Sequence, residues 1–225
     1  VESIIQSKCE AIVYSGFGKE FPHAKQLEKI GISCLANYDW REIHPLGKAE
    51  WILFFGYLTG TEDMAHDYFE KTKAEYKRLK ELTTATKEKP SVVSGSMWGD
   101  TWHAPAGESF HAQLLQDAGA DYVYSNTSGT GSISKSLEGI ISENMETQFW
   151  FNPGQPSTQD ILTIHPKLEF FPPLVKQNVF DYSVSGNAYW EESAIAPHRV
   201  LADYIHILHP AFLPNHKLNF YARIN

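Results

Sequence analysis

Two short stretches gather side chains able to grip a solute. Asn37-Tyr38-Asp39-Trp40-Arg41 follows Ile32–Ala36, an apolar run that reads as a strand. In open α/β sheets, ligands bind at the carboxyl ends of strands. Trp98, Trp102 and His103 lie among Gly95, Ser96, Gly99, Asp100 and Thr101, in a stretch from Gly95 to Gly107 that reads as a loop. Binding residues concentrate on loops held by a rigid scaffold. The chemistry on offer is recognition. For bond making there is no positive support. His103 and His111 lack zinc-protease spacing, and no H-E-x-x-H or G-x-S-x-G occurs. Gly129-Thr130-Gly131 lacks the lysine of a phosphate loop, and the acidic residues are scattered. His206 and His209 read as surface or helix-end histidines. Cys9 and Cys34 read as thiols at the edges of neighbouring strands; a disulfide between them stays open, and the absence of a CxxC disfavours a metal site.

The chain has 225 residues, 42% hydrophobic and 20% charged, with a formal net charge of −8. That is a globular composition, long enough for one large domain or two small ones. With no cluster of Lys and Arg, a nucleic-acid partner is not expected. No apolar run reaches membrane-spanning length. Val1-Glu2-Ser3-Ile4-Ile5 reads as the middle of a helix, so a truncated or processed chain is expected, and the lack of a targeting segment says nothing about location.

The elements that must position these residues alternate. Glu2–Ser7, Ala24–Ile30 (with Gly31 as its stop) and Pro45–Tyr57 read as helices; Ala11–Tyr14 and Ile32–Ala36 read as strands. Trp51, Phe54 and Phe55 belong to packing. After Lys87-Glu88-Lys89-Pro90 the alternation restarts. Strands are expected at Ser91–Ser94, Asp121–Tyr124, Gln148–Phe151 and Asn178–Tyr182. Helices are expected at Ser109–Ala118, Ser136–Ser142, Thr158–Ile164 (capped by Ser157) and from Pro197 to about His209, with Asn126–Ser134 as a loop. Such an order points to parallel sheets.

Between the halves, Thr59–Leu82 reads as one long helix. Thr59 and Glu62 have capping-box spacing, and Ala65, Tyr68, Phe69, Thr72, Tyr76 and Leu79 form one apolar stripe. Glu62–Leu82 spans roughly 30 Å at 1.5 Å per residue. There is also an internal similarity at a constant offset. Val1–Glu10 parallels Leu137–Glu146, with Glu2, Ile4, Ile5 and Glu10 matching Glu138, Ile140, Ile141 and Glu146. An acid opening each helix gains from the helix dipole whatever its other role.

Asp39–Trp51 (DWREIHPLGKAEW) resembles a segment of the substrate-binding proteins of ABC importers that carry iron–siderophore complexes, haem and cobalamin. Asp117–Tyr122 (DAGADY) is similar to a step of their second lobe. Asn187–Trp190 with Pro197–Tyr204 and His209-Pro210 resembles their C-terminal segment. The resemblance implies an α/β fold of two Rossmann-like lobes with parallel sheets, joined by a single long backbone helix, with the first lobe incomplete. The expected divisions are 1–58 for the rest of the N-terminal lobe, 59–86 for the helix and 87–225 for the C-terminal lobe.

It further implies a monomeric, extracytoplasmic (periplasmic, lipid-anchored through a preceding segment) component that hands its cargo to a membrane permease. The cargo would be an iron complex or corrinoid held in a cleft between lobes, with no cofactor of its own. The cleft would be lined by Phe17, Tyr38, Trp40 and Arg41 on one side and by Trp98, Trp102, His103, Tyr124, Tyr189 and Trp190 on the other. Aromatic faces and a guanidinium suit a large, flat, partly anionic solute. By position, Glu2 and Glu138 match the pair of glutamates that dock on the permease. Two alternatives are a zinc or manganese receptor of similar layout, needing three or four convergent ligands, and an α/β enzyme using His103 as a base.

Overall fold

The computed structural model describes residues 1–16, 21–183 and 188–225. It divides into two compact units, Val1–Glu42 and Ile43–Asn225.

The first unit holds α1 (Glu2–Gln6), β1 (Ala11–Ser15), α2 (Ala24–Glu28) and β2 (Ser33–Asn37). The strands pair in parallel, from Ala11 opposite Ser33 to Ser15 opposite Asn37. Gly31 turns the chain from α2 into β2 at φ +87°, a conformation open to glycine at little cost. Leu27 and Ile32 are buried, but nothing on α1 is, and β1 is half-buried to exposed along its length. A short one-turn helix, Asp39–Arg41, follows β2.

The second unit opens with α3 (Pro45–Thr59) and α4 (Glu62–Thr84). Next come β3 (Ser91–Ser94), β4 (Ser96–Trp98), β5 (Thr101–Pro105), α5 (Phe110–Asp117), β6 (Asp121–Tyr122), β7 (Ser132–Ser136) and α6 (Leu137–Glu143). The remainder is β8 (Phe149–Phe151), α7 (Thr158–Ile164), α8 (Pro172–Val175), β9 (Val179–Asp181), α9 (Tyr189–Glu192), α10 (Pro197–Leu208) and β10 (Ala222–Arg223). The main sheet has strand order β10-β9-β8-β3-β6, with β10 alone antiparallel among these strands. Its core strands bury Val92, Val93, Trp150, Phe151, Val179 and Phe180, the near-continuous apolar runs expected of a sheet covered on both faces.

The long helix buries Ala65, Phe69, Thr72, Tyr76, Leu79 and Thr83 and packs on α3 and α10. Tyr68 falls at the edge of the predicted stripe and stays exposed. Buried Asp117 ties α4 to α5. It accepts from the Tyr76 hydroxyl at 2.7 Å and pairs with Lys80 at 2.9 Å, while Thr83 donates to its backbone carbonyl at 2.6 Å. The capping box expected at Thr59 is not made. Thr59 ends α3, and its hydroxyl donates to the Phe55 carbonyl instead. Gly60, left-handed at φ +67°, closes that helix, and Thr61 precedes α4 without a side-chain cap. Gly56 belongs to the contact between the two helices: a Cβ there would stand 2.5 Å from the Cβ of Ala65.

Both glycine- and serine-rich stretches read as loops contain strands. β4, β5 and β7 form an antiparallel meander, with His103 opposite both Ser96 and Ser134. Met97, Trp102, Ala104 and Ile133 pack into the core, and the alternate residues face outward. Composition hid the pleat, because Ser96, Thr101, Ser132 and Ser134 among the outward positions carry the residue types of a loop. By contrast, Ser157 caps its helix as predicted, and Ser109 and Ser136, read as the first helical residues, also prove to be caps; they accept from Asp160, Ala112 and Gly139 N–H groups respectively.

Candidate functional site

A cavity of about 430 Å³ opens in the second unit where three neighbouring parallel strands end. Ser94 and Gly95 leave β3, Asn152 leaves β8 and Tyr182 leaves β9, and all four line it. This is where an open α/β sheet offers its crevice. The meander contributes Ser96, His103 and Ser132, the start of α5 contributes Ser109, Phe110 and His111, and α9 brings Tyr189 and Trp190.

The floor is a closed hydrogen-bond network. Asn152, held at φ +62°, donates its side-chain amide to His111 Nε2 at 2.9 Å and to Ser94 Oγ at 3.2 Å. Its Oδ1 accepts from the Tyr221 hydroxyl at 3.0 Å. The Tyr204 hydroxyl lies 2.7 Å from that of Tyr221 and 3.1 Å from His111 Nε2. An amide nitrogen can only donate, so His111 Nε2 accepts and the ring is neutral. Burial agrees, lowering the His111 pKa to about 4. The Tyr189, Tyr204 and Tyr221 hydroxyls are likewise pushed well above the usual phenol range by burial.

The wall is aromatic. Tyr182 and Tyr189 stack at 4.0 Å with an interplanar angle of 7°, and Trp190 meets Tyr182 edge-on at 5.3 Å. Trp190 leaves 75% of its surface exposed, an indole standing at the rim.

Of the residues singled out in the sequence, His103, Tyr189 and Trp190 come together at this cavity. Trp98 stands on the outward face of the meander, 83% exposed, two positions from Ser96. Trp102 points the other way. It is fully buried, packs 4.9 Å from Trp150 and donates from Nε1 to the Ser94 carbonyl. Tyr124 is buried beside Asn144, which donates to its hydroxyl at 3.0 Å. Neither of these two lines the cavity. Tyr38, Trp40 and Arg41 are exposed in the first unit at and just after the end of β2, with the Arg41 guanidinium 5.9 Å from the Trp40 ring. Phe17 lies outside the described residues, as does Asn187 of the C-terminal motif.

Sequence reasoning missed His111 and Asn152. His111 is the second residue of a serine-capped helix and Asn152 ends an apolar strand, so both positions were readable as strand-end or helix-start sites. The internal similarity has a structural counterpart. Glu2 and Glu138 each sit in the first turn of a short helix that feeds a parallel strand, α1 into β1 and α6 into β8. Glu138 pairs with Lys167 at 2.8 Å, and this partner holds its carboxyl below the usual range. Among the described residues, no group of three or more His, Cys, Asp or Glu is placed to hold a metal ion. No helix among them is long and apolar enough to cross a membrane.

The sequence profile described as periplasmic binding protein matches residues 1–182. An uncharacterized lipoprotein of Methanocaldococcus jannaschii is 26% identical over 231 residues, covering 100% of this chain and 54% of the relative. The chain thus spans about half the length of the curated relative it matches. Among solved structures, a periplasmic heme binding protein of Vibrio cholerae superposes with a TM-score of 0.70 at 14% identity, covering 96% of this chain and 80% of that one. The periplasmic vitamin B12 binding protein of the same organism superposes with a TM-score of 0.66 at 13% identity, covering 93% and 78%. At such identities the likeness is one of fold, α/β with parallel-rich sheets, as in the class III periplasmic binding proteins.

Proposed function

The chain belongs to the periplasmic binding protein family, and from that premise we propose that it captures a bulky metal chelate, an iron complex or a corrinoid, for an ABC importer. The observation that carries this reading is the cavity at the ends of β3, β8 and β9, with its stacked tyrosines and the exposed indole of Trp190. A volume of about 430 Å³ lies in the range of small-molecule sites. An aromatic wall and rim offer flat apolar area to a macrocyclic or polycyclic cargo. The solved relatives described as binding heme and vitamin B12 are consistent with that class.

The protein works outside the cytoplasmic membrane, in keeping with its family and with the lipoprotein relative. On the resemblance alone, Tyr38, Trp40 and Arg41 of the first unit are further ligand contacts. Glu2 and Glu138 dock on basic groups of the permease, where charge-assisted hydrogen bonds fix orientation.

The test is tryptophan fluorescence of the purified chain titrated with haemin and with cyanocobalamin, each corrected for ligand absorbance. Saturable quenching by at least one is expected, weakened about tenfold in Trp190→Ala, a change of about 1.4 kcal/mol. The unfolding midpoint should not move, since the side chain is mostly exposed. No saturable quenching by either ligand would remove haem and corrinoids as cargo, and quenching indifferent to Trp190 would remove this cavity as the binding site.

A further inference from the structure

The cavity is notable for what its wall is made of. Among the described residues, no Asp, Glu, Lys or Arg lines it. Hydrogen bonding is left to the hydroxyls of Ser96, Thr130 and Ser132, the imidazole of His103 and the Asn152–His111 floor. The charges close by are engaged elsewhere. Asp181 is fully buried, and its carboxylate accepts from the Gly154 and Ser183 N–H groups at 2.7 Å each. Lys48 lies 4.6 Å from the Phe110 centroid and lines a separate hollow with Pro45 and Pro197. Glu192, on the helix that carries Trp190, pairs with Arg199.

A full charge brought into such a site loses its hydration and meets no opposite charge. That is unfavourable wherever water is displaced from it. An amide or hydroxyl loses far less and finds partners here. The first turn of α5 also faces the cavity, and its N–H groups can donate to a carbonyl oxygen. Ser109 already occupies one of that turn's N–H groups.

The meander extends the same chemistry beyond the cavity. Its outward face continues from Ser96, His103 and Ser132 to Thr101, Ser134 and Trp98. Ser134 Oγ lies 3.5 Å from His103 Nδ1, so the two form one polar strip beside an exposed indole.

Resting on the transport reading above, we infer that the part of the cargo entering this cavity is uncharged and amide- or hydroxyl-bearing. The substrate class is a metal chelate with a neutral, amide-rich periphery. Chelates that present carboxylates or catecholate charge are disfavoured on this side of the ligand.

Isothermal titration calorimetry of the purified chain with four probes tests this. Cyanocobalamin and ferrichrome carry amide peripheries without net charge, haemin presents propionates, and ferric enterobactin is a tricatecholate anion. At least one of the first two should bind about tenfold or more tightly than both of the others. Ser132→Arg, checked for native circular dichroism, places a cation in the wall. It should narrow that gap about tenfold by strengthening the anionic chelates. Tighter binding of haemin or ferric enterobactin to the unaltered chain would overturn the inference while leaving the transport reading in place. An unchanged preference in folded Ser132→Arg would also overturn it. Binding of none of the four would take both readings down.

Discussion

Two helix–strand pairs in this molecule share a short pattern of residues and come to different ends. α1 with β1 and α6 with β8 share their acidic first turn, their isoleucine pair and their parallel pairing. Yet α1 buries nothing and β1 is at most half-buried, whereas α6 buries Leu137 and Ile140 and β8 buries Trp150 and Phe151. A local pattern therefore sets the element and its orientation, while the layers packed around it set its stability.

The largest expected effect comes from cutting the buried strand. Trp150→Ala should lower stability by about 3–5 kcal/mol, because it empties a site closed by Trp102 and Phe171 and orphans the Gly95 carbonyl. Ile12→Ala in the half-buried β1 should cost about 1–2 kcal/mol. Chemical denaturation followed by far-ultraviolet circular dichroism measures both. Similar losses would mean that the first unit is as tightly packed as the second.

The next effect is one of pH. His111 is neutral in the fold with its pKa lowered to about 4, against an ordinary value near 6.5. Above about pH 6.5 neither state is protonated and the group contributes no pH dependence. As pH falls from there towards 4, the unfolded chain takes up the proton and the folded one does not. Stability should fall by about 2–4 kcal/mol across that window and flatten below it. His111→Asn should abolish this component of the slope. A slope between pH 6.5 and 4 that this substitution leaves unchanged would show that His111 is not its source.

The smallest effect sharpens the contrast between the two acidic helix starts. Lys167 and Glu138 are each 68% exposed in their ion pair. Lys167→Met should leave the unfolding midpoint where it is, since an exposed pair is screened by solvent. A measurable loss would assign Glu138 to the scaffold of the fold and weaken its assignment to docking.

Much of the scaffold is legible in the sequence for local reasons. The apolar stripe of α4 and the serines at 109, 136 and 157 act through contacts within a turn or two. The meander is not legible, because Ser96, Ser132 and Ser134 carry the composition of a loop while occupying alternate positions of a pleated strand. The same alternation separates Trp102, which faces the core, from Trp98 and His103, which face out. Tyr189 and Trp190, which line the cavity, are legible in the sequence as candidates. The floor was not, since Asn152, His111, Tyr204 and Tyr221 meet only through long-range packing.

Gly95 connects the end of β3 to the start of β4 at φ +122°, and a Cβ there would collide with the His103 carbonyl oxygen. With Trp102 and Trp150 both donating into the backbone at Ser94 and Gly95, the meander is clamped to the strand end beneath it. On the transport reading proposed above, this wall of the cavity is moulded before any guest arrives, so little of its conformational freedom would be surrendered on capture. Ligands should be told apart by how well they fit a ready-made shape, and slow departure should follow from a good fit more than from closure over the guest.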